Sequence, residues 1–268
     1  SGASAAQVIP AIAGRVGHLH VFQRTPHWVL PRPDRTFTRW QRALLRWRPA
    51  YTALRWAIYW GLETRLLGFK YSRRALHWRA TRPALAHLRR QVPDPALRAK
   101  LTPDYTIGCK RIILSNTLYP ALSRPNVTLH DRSSGIARIV PDGVETTDGQ
   151  HVAVDAIVYA TGFVVGGSES RFPVTGRDGV TLTDRMTPFP RAYLGTSVPS
   201  IPNWFVLTGP NTGIGHTSAI FVMESQLQYI AAAIRRLRDG VRALEPTPAA
   251  EAAWTRWIHA ELDKTVWR

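Results

Sequence analysis

Lys110 and Arg111 stand side by side directly before a short apolar run, Ile112 to Leu114. Two permanent cations at a strand entrance are either a solvated edge or a phosphate clamp joined to a cation that works on a reacting oxygen. Arg24 and Thr25 make another such point. They follow an expected strand, Leu19 to Phe22, in the run Gln23-Arg24-Thr25-Pro26, with no acid nearby. In a dinucleotide-binding unit this position carries an acid for the ribose hydroxyls of NAD or an arginine for the 2′-phosphate of NADP. An arginine beside a hydroxyl predicts the phosphate; a surface arginine at a loop start is the plain alternative.

Glycine supplies the remaining chemistry-bearing positions. The chain opens SGASAAQ, where Gly2 lets backbone approach a pyrophosphate and Ala5 permits close helix–strand packing, with Ser4 and Gln7 on the same turn. A full G-x-G-x-x-[GA] turn needs its first glycine one residue before Ser1, so the chain reads as a fragment that lacks a preceding strand. Taken alone, SGASAAQ is equally a small-residue helix start. Two apolar runs further on break at glycine: Ile157 to Phe163, IVYATGF, and Trp204 to Ser218, WFVLTGPNTGIGHTS. Strand, glycine turn and helix together present backbone N–H groups to a bound nucleotide. The pattern predicts an α/β, Rossmann-like oxidoreductase with two dinucleotide-binding domains.

The elements that position these residues follow from periodicity. Val8 to Val16 reads as a helix, and Asn126 to His130 and Gly143 to Thr146 as short strands. Val152 to Tyr159 reads as a buried strand, joined to the one before it by a hairpin at Asp148-Gly149. A loop region and a strand-like stretch, Ile201 to Thr208, lead into a long helix, Ala219 to Leu237. A last helix spans Ala250 to Val266. Between Asp34 and Val92 arginine and tryptophan interleave, with Leu44, Trp47, Tyr51, Leu54 and Ile58 at helical spacing; two or three inserted helices are expected, broken near Pro49 and Pro93. The first reading of this region is an amphipathic cap whose aromatics pack on their own domain. Arginines that snorkel beside interfacial tryptophans give a second, a peripheral membrane contact through residues 34–92. Nucleic acid is not expected as a partner.

Bulk composition narrows the class. The 268 residues carry 35 basic and 18 acidic side chains, a net charge of +17. Roughly 17 of the cations fall between Arg32 and Lys100, against Asp34, Glu63 and Asp94, while the rest is near neutral. The single cysteine, Cys109, excludes an internal disulfide and a Cys-x-x-Cys redox or zinc site, and no metal site is expected. It also argues against the disulfide-reductase branch of flavoproteins and points to a cytoplasmic setting. Arginines interrupt every apolar run before it reaches membrane-spanning length.

In order along the chain, SGASAAQ, VFQRTPHWVLPRPD, IGCKRIILSNTLYPALSRPNVTL, IVYATGF and GPNTGIGHTS resemble a class B flavoprotein monooxygenase, of the Baeyer–Villiger type that includes 4-hydroxyacetophenone monooxygenase. The resemblance covers almost the whole chain. It implies residues 1–160 as an NADP-binding domain with a helical insertion at about 34–100, and residues 161–268 as the C-terminal part of an FAD-binding domain. It further implies FAD and NADPH as cofactors and insertion of one oxygen of O₂ beside a ketone carbonyl through a C4a-peroxyflavin. By similarity, Arg111 stabilises the charged oxygen species, and Lys110 joins Arg24 and Thr25 on the 2′-phosphate, with Gly2, Ser4, Ala5 and Gln7 also on NADP. Thr161, Gly162, Gly209, Pro210, Asn211, Ser218 and Ala219 fall to FAD. The family's first FAD-binding glycine turn, its fingerprint F-x-G-x-x-x-H-x-x-x-W and the acid that supports the catalytic arginine would all lie upstream of Ser1. An N- or S-oxygenating flavin monooxygenase, an N-hydroxylating flavoenzyme and a non-catalytic basic membrane-surface module therefore stay open as alternatives.

Overall fold

Leu19 and Val21 alternate with His20 and Phe22, and the two pairs of side chains face opposite ways, as a strand's period of two requires. In a computed structural model of the chain, which describes residues 2–64, 66–162, 172–213 and 218–265, this strand is β1 (Leu19–Phe22), preceded by the helix α1 (Gly2–Ile12). There follow β2 (Val29–Leu30), α2 (Arg39–Leu44), α3 (Arg48–Glu63), α4 (Leu66–Lys70) and α5 (Arg73–Leu76). A π-helical turn (His77–Thr81) leads to α6 (Arg82–Gln91), α7 (Pro95–Leu101), β3 (Ile113–Leu114), α8 (Leu118–Leu122) and β4 (Val127–His130). The remainder comprises β5 (Ile136–Val140), β6 (Gly143–Thr146), β7 (His151–Ala153), α9 (Leu182–Met186), α10 (Ala219–Arg238) and α11 (Pro248–Leu262).

Two compact units emerge, one of residues 1–51 and 72–163, the other of 52–71 and 164–268. Residues 52–71, inside the stretch read as an insertion of the first domain, thus pack with the second unit. In the first unit β1 pairs with β4 in parallel, Leu19 opposite Val127 and Phe22 opposite His130, and β2 pairs with β3 in parallel. Parallel pairs need long crossovers, and the helices between them supply these. Leu19, Val21, Val127 and Leu129 face a core completed by Ala6 and Ile9 of α1, Ala13 just after it, Leu88 and Val92, and Leu118, Tyr119 and Leu122 of α8. β5, β6 and β7 form an antiparallel meander, and the β6–β7 turn falls at Asp148-Gly149 as expected, with Gly149 in the left-handed region at φ 81°.

The expected buried strand Val152 to Tyr159 is corrected. β7 ends at Ala153, opposite Gly143 where β6 begins, and past one further bond, Val154 N–H to the Asp142 carbonyl, the β6–β7 ladder does not continue. Ile157, Val158 and Tyr159 leave the meander with 38%, 62% and 71% of their surface exposed. Phe163, the last residue of that glycine-broken run, lies outside the described residues.

In the second unit, Leu182, Met186, Ala192, Val198 and Ile201 make a small core. The strand expected over Ile201 to Thr208 reduces to one bridge, Ser197 to Phe205. Its physical reason is Asn203, which is left-handed at φ 60° and exchanges hydrogen bonds with Leu244 and Arg242, bending the chain towards that segment. α10 runs one residue past its expected end, and α11 ends at Leu262; Val266 lies outside the described residues. Thr38, Asp94, Ser218 and Thr247 cap α2, α7, α10 and α11 through their side-chain oxygens, satisfying N–H groups that each helix leaves unpaired.

The tryptophans correct a further expectation. A cap that buried its own aromatics would hide them, yet Trp40, Trp47, Trp56 and Trp60 are all more than half exposed, and α3 buries no residue. Among the described residues no helix is long and apolar enough to cross a membrane.

Candidate active site

The first turn of α1 opens onto a cleft of about 610 Å³ in the first unit, lined by Gly2, Ala3, Ala6 and Gln7. Its other walls are His27, Arg32 and Asp34 on the loop around β2, then Arg111 and the run through β3 to Asn116 and Thr117. The chain builds this cleft by pinning two loops together. Asn116 accepts from the Arg32 N–H at 3.0 Å and donates to the Arg32 carbonyl at 2.9 Å. Gln91 donates to the Asn116 carbonyl, and the buried His87 ring bonds the Ser115 carbonyl at 3.0 Å. Arg32 and Asp34 form an exposed ion pair at 3.3 Å. Arg111, predicted to act on the reacting oxygen, is exposed and lines the same cleft as Gly2 and Gln7.

Gly2 sits against His27: a Cβ there would lie 2.7 Å from the ring Nε2. What the missing side chain admits is therefore this imidazole. Burial, then the charge of Lys110, hold the His27 pKa below its ordinary value. Lys110 is thus within electrostatic range of the loop that begins at Arg24. Arg24 is exposed and Thr25 half-buried just past β1, and Lys110 also rests 4.7 Å from the centre of the Tyr105 ring. Two buried nitrogens near this loop, Gln23 Nε2 and His27 Nδ1, have no hydrogen-bond partner among the described residues. Ala5 packs on the core, while Ser4 is exposed and does not line the cleft.

The glycine positions assigned to FAD divide between the units, and the structure brings part of them together. Thr161 and Gly162 close the described part of the first unit, Gly162 in the left-handed region at φ 95°. In the second unit Gly209, Pro210 and Asn211 make a tight turn, closed by Thr212 Oγ1 donating to the Gly209 carbonyl at 2.6 Å. A Cβ on Gly209 would meet the Gly195 carbonyl at 2.5 Å, so two loops touch there through backbone alone. Gln226, buried on α10, ties them: its Oε1 accepts from Thr208 N–H, and its Nε2 donates to the Gly195 carbonyl and to Thr196 Oγ1, each at 2.9 Å. Ser218 caps α10 and Ala219 is its first residue. Residues 214–217 of the GPNTGIGHTS stretch lie outside the described residues. Among the described residues there is no cluster of histidine, cysteine and carboxylate side chains fit to hold a metal ion.

No family model matches the chain. Over its whole length it is 39% identical to a Baeyer–Villiger monooxygenase of Pseudomonas aeruginosa and 42% identical to one of Streptomyces coelicolor. The chain is thus similar along its full length to Baeyer–Villiger monooxygenases. It spans about half the length of these curated relatives, 50% and 51%. Among solved structures, OTEMO in complex with FAD and NADP matches with a TM-score of 0.85 at 27% identity, covering all of this chain and 56% of that one. Oxidized steroid monooxygenase bound to NADP matches with a TM-score of 0.82 at 29% identity, covering all of this chain and 58% of that one. The α/β architecture expected from the sequence is that of these two-dinucleotide-binding flavoproteins.

Residue type and spacing point to the cations and glycines but not to the side chains that hold their loops. His27, Asn116 and Gln226 went unread. His27 was visible as the residue after Thr25-Pro26, in a loop already assigned to phosphate. Asn116 and Gln226 carry no local signal, since each acts on backbone groups between 18 and 84 residues away.

Proposed function

We propose that the first unit binds NADPH and that the second supplies the C-terminal part of an FAD site, in a monooxygenase that inserts one oxygen atom of O₂ beside a ketone carbonyl. The observation that carries this reading is the shared cleft: Arg111, the first turn of α1 and His27 line a single cavity. Gly2 and Ala3 belong to a helical turn whose N–H groups have no partner within the helix, which favours a pyrophosphate there. Arg24 and Thr25, with Lys110 in range of the same loop, do not line the cleft themselves but offer two cations and a hydroxyl suited to a 2′-phosphate. The unpartnered Gln23 Nε2 and His27 Nδ1 offer nitrogens for polar groups of the same ligand. The Gly209–Asn211 turn and the capped start of α10 suit FAD in the same way.

A flavin reduced by NADPH supplies the oxygen-transfer chemistry when bound. Arg111 places a permanent positive charge at the cleft wall, where negative charge that develops on oxygen during attack on a carbonyl is stabilised. Burial and the nearby charge of Lys110 lower the His27 pKa and favour its neutral form, so Arg32, paired with Asp34, and Arg111 are the cations that line the cleft. Asn116 holds the Arg32 loop against the β3 segment that carries Arg111.

The reading is tested on the whole protein with its flavin, by following ketone-dependent oxidation of NADPH under isotopically labelled O₂. An ester or lactone with one labelled oxygen supports it. Oxygenation of amines or sulfides with no ester from any ketone would replace it with the related N- or S-oxygenating activity.

A further inference from the structure

Trp40, Leu44, Trp47 and Tyr51 recur at i, i+4, i+7 and i+11, the stripe that an amphipathic helix turns towards its own core. Here the stripe faces outward: the four side chains are 65%, 48%, 63% and 51% exposed. The stripe spans two helices: α2 ends at Leu44, a turn closed by Arg46 N–H on the Ala43 carbonyl and Trp47 N–H on the Leu44 carbonyl follows, and α3 opens with Tyr51 N–H on the Trp47 carbonyl. The stripe is flanked by Arg39, Arg42, Arg46 and Arg48, all exposed and in no ion pair among the described residues. From Arg35 to Leu62 the chain has no aspartate or glutamate. A helix built to face water is normally laced with paired charges of both signs, and this one is not.

We propose that the segment Arg39–Tyr51 is a docking surface for an anionic lipid bilayer. Charge complementarity selects the occupant: four unpaired guanidiniums on one short segment match a plane of phosphate headgroups. Tryptophan and tyrosine settle at the headgroup level, and Leu44 reaches the acyl boundary. A nucleic-acid duplex would answer the arginines but offers nothing apolar for Leu44 and the tryptophan faces. This surface is separate from the cofactor cleft, so the proposal stands or falls independently of the proposed activity.

The test is co-sedimentation of the whole protein with vesicles of mixed phosphatidylglycerol and phosphatidylcholine, against vesicles of phosphatidylcholine alone, at low and high salt. The anionic vesicles bind the protein, the neutral ones do not, and high salt releases it. Replacing all four arginines (Arg39→Gln, Arg42→Gln, Arg46→Gln, Arg48→Gln) lowers the partition by about a hundredfold or more. The pair Trp40→Ser and Trp47→Ser lowers binding while leaving the salt dependence. These are exposed positions, and an unchanged unfolding midpoint verifies that the variants fold. On the unaltered protein, quenching of tryptophan fluorescence by brominated lipid in the anionic vesicles gives a readout that needs no variant. Failure to bind anionic vesicles at low salt overturns the proposal and leaves the stripe covered by another part of the protein. Equal binding to neutral vesicles, an unchanged partition of the arginine variant, or displacement from vesicles by duplex nucleic acid also overturns it.

Discussion

Gly2 and His27 are in such close contact that a single methyl group on Gly2 would stand 2.7 Å from the imidazole Nε2, well inside van der Waals contact. Gly2→Ala therefore forces the ring to move, and the ring is a wall of the cofactor cleft. The expected result is a raised KM for NADPH, by about tenfold, with a smaller change in kcat, because the substitution disturbs where the nucleotide rests. A variant with unaltered KM would show that the cleft tolerates the displaced ring.

Arg24 and Thr25 follow β1, which ends at Phe22, and are the residues proposed to read the 2′-phosphate, with Lys110 in range. Arg24→Ala is expected to raise KM for NADPH by about tenfold to a hundredfold, the loss of a charge-assisted contact, and to leave KM for NADH nearly unchanged. Steady-state kinetics with both nucleotides decides it; equal losses would remove Arg24 from the 2′-phosphate.

Where pattern is local, the sequence was legible. β1 has its expected limits, α10 differs by one residue, and the Asp148-Gly149 turn is in place, because strand alternation, helical period and turn chemistry each act within a few residues. Tertiary pairing was not legible. Val152 to Tyr159 has the composition of a strand, but the ladder stops where β6 stops, a property of the partner. Nor could Ile201 to Thr208 be read, since Asn203 bends it to meet residues 242–244. In the site the charged residues stood out by type, whereas Asn116 and Gln226 are ordinary amides until the fold places backbone groups against them.

Gln226 satisfies three polar groups at once, Thr208 N–H, the Gly195 carbonyl and Thr196 Oγ1. Gln226→Leu keeps the volume and strands these groups in a buried place, at a cost of about 2–5 kcal/mol. The denaturant midpoint should fall accordingly, and the purified protein should retain less flavin because the Gly209 turn loses its anchor. A midpoint within error of the parent would show that water replaces the amide without penalty.

On the face of β1 and β4 away from the core, His20 Nδ1 and His130 Nε2 lie 3.0 Å apart, with the His18 ring tilted against His20 at 4.5 Å between ring centres. Burial lowers both pKa values first; then His18 and His130 lower that of His20, and Lys100 lowers that of His130 against the opposing pull of Asp148 and Asp131. The folded state thus sheds protons that the unfolded chain holds at its ordinary value of 6.5. The resulting stability is complete above that pH and is lost as pH falls from there through the lowered folded values. Unfolding midpoints should decline on acidification through this window, and His130→Gln should flatten the decline. Stability that rises on acidification would contradict the cluster's role.

Arg111 carries the central claim, that the cation on the cleft wall serves oxygen transfer rather than cofactor retention. The direct measurement is ester formation from a ketone by the whole protein bearing Arg111→Ala, with flavin content and NADPH binding measured on the same sample. The account predicts retained FAD, retained nucleotide and a loss of ester by a factor of about a hundred to a thousand, the cost of removing one preorganised electrostatic stabiliser. Arg111→Lys should recover little, since an ammonium lacks the guanidinium's fork. A folded, flavin-bearing Arg111→Ala protein that still makes ester at nearly the parent rate would contradict the account.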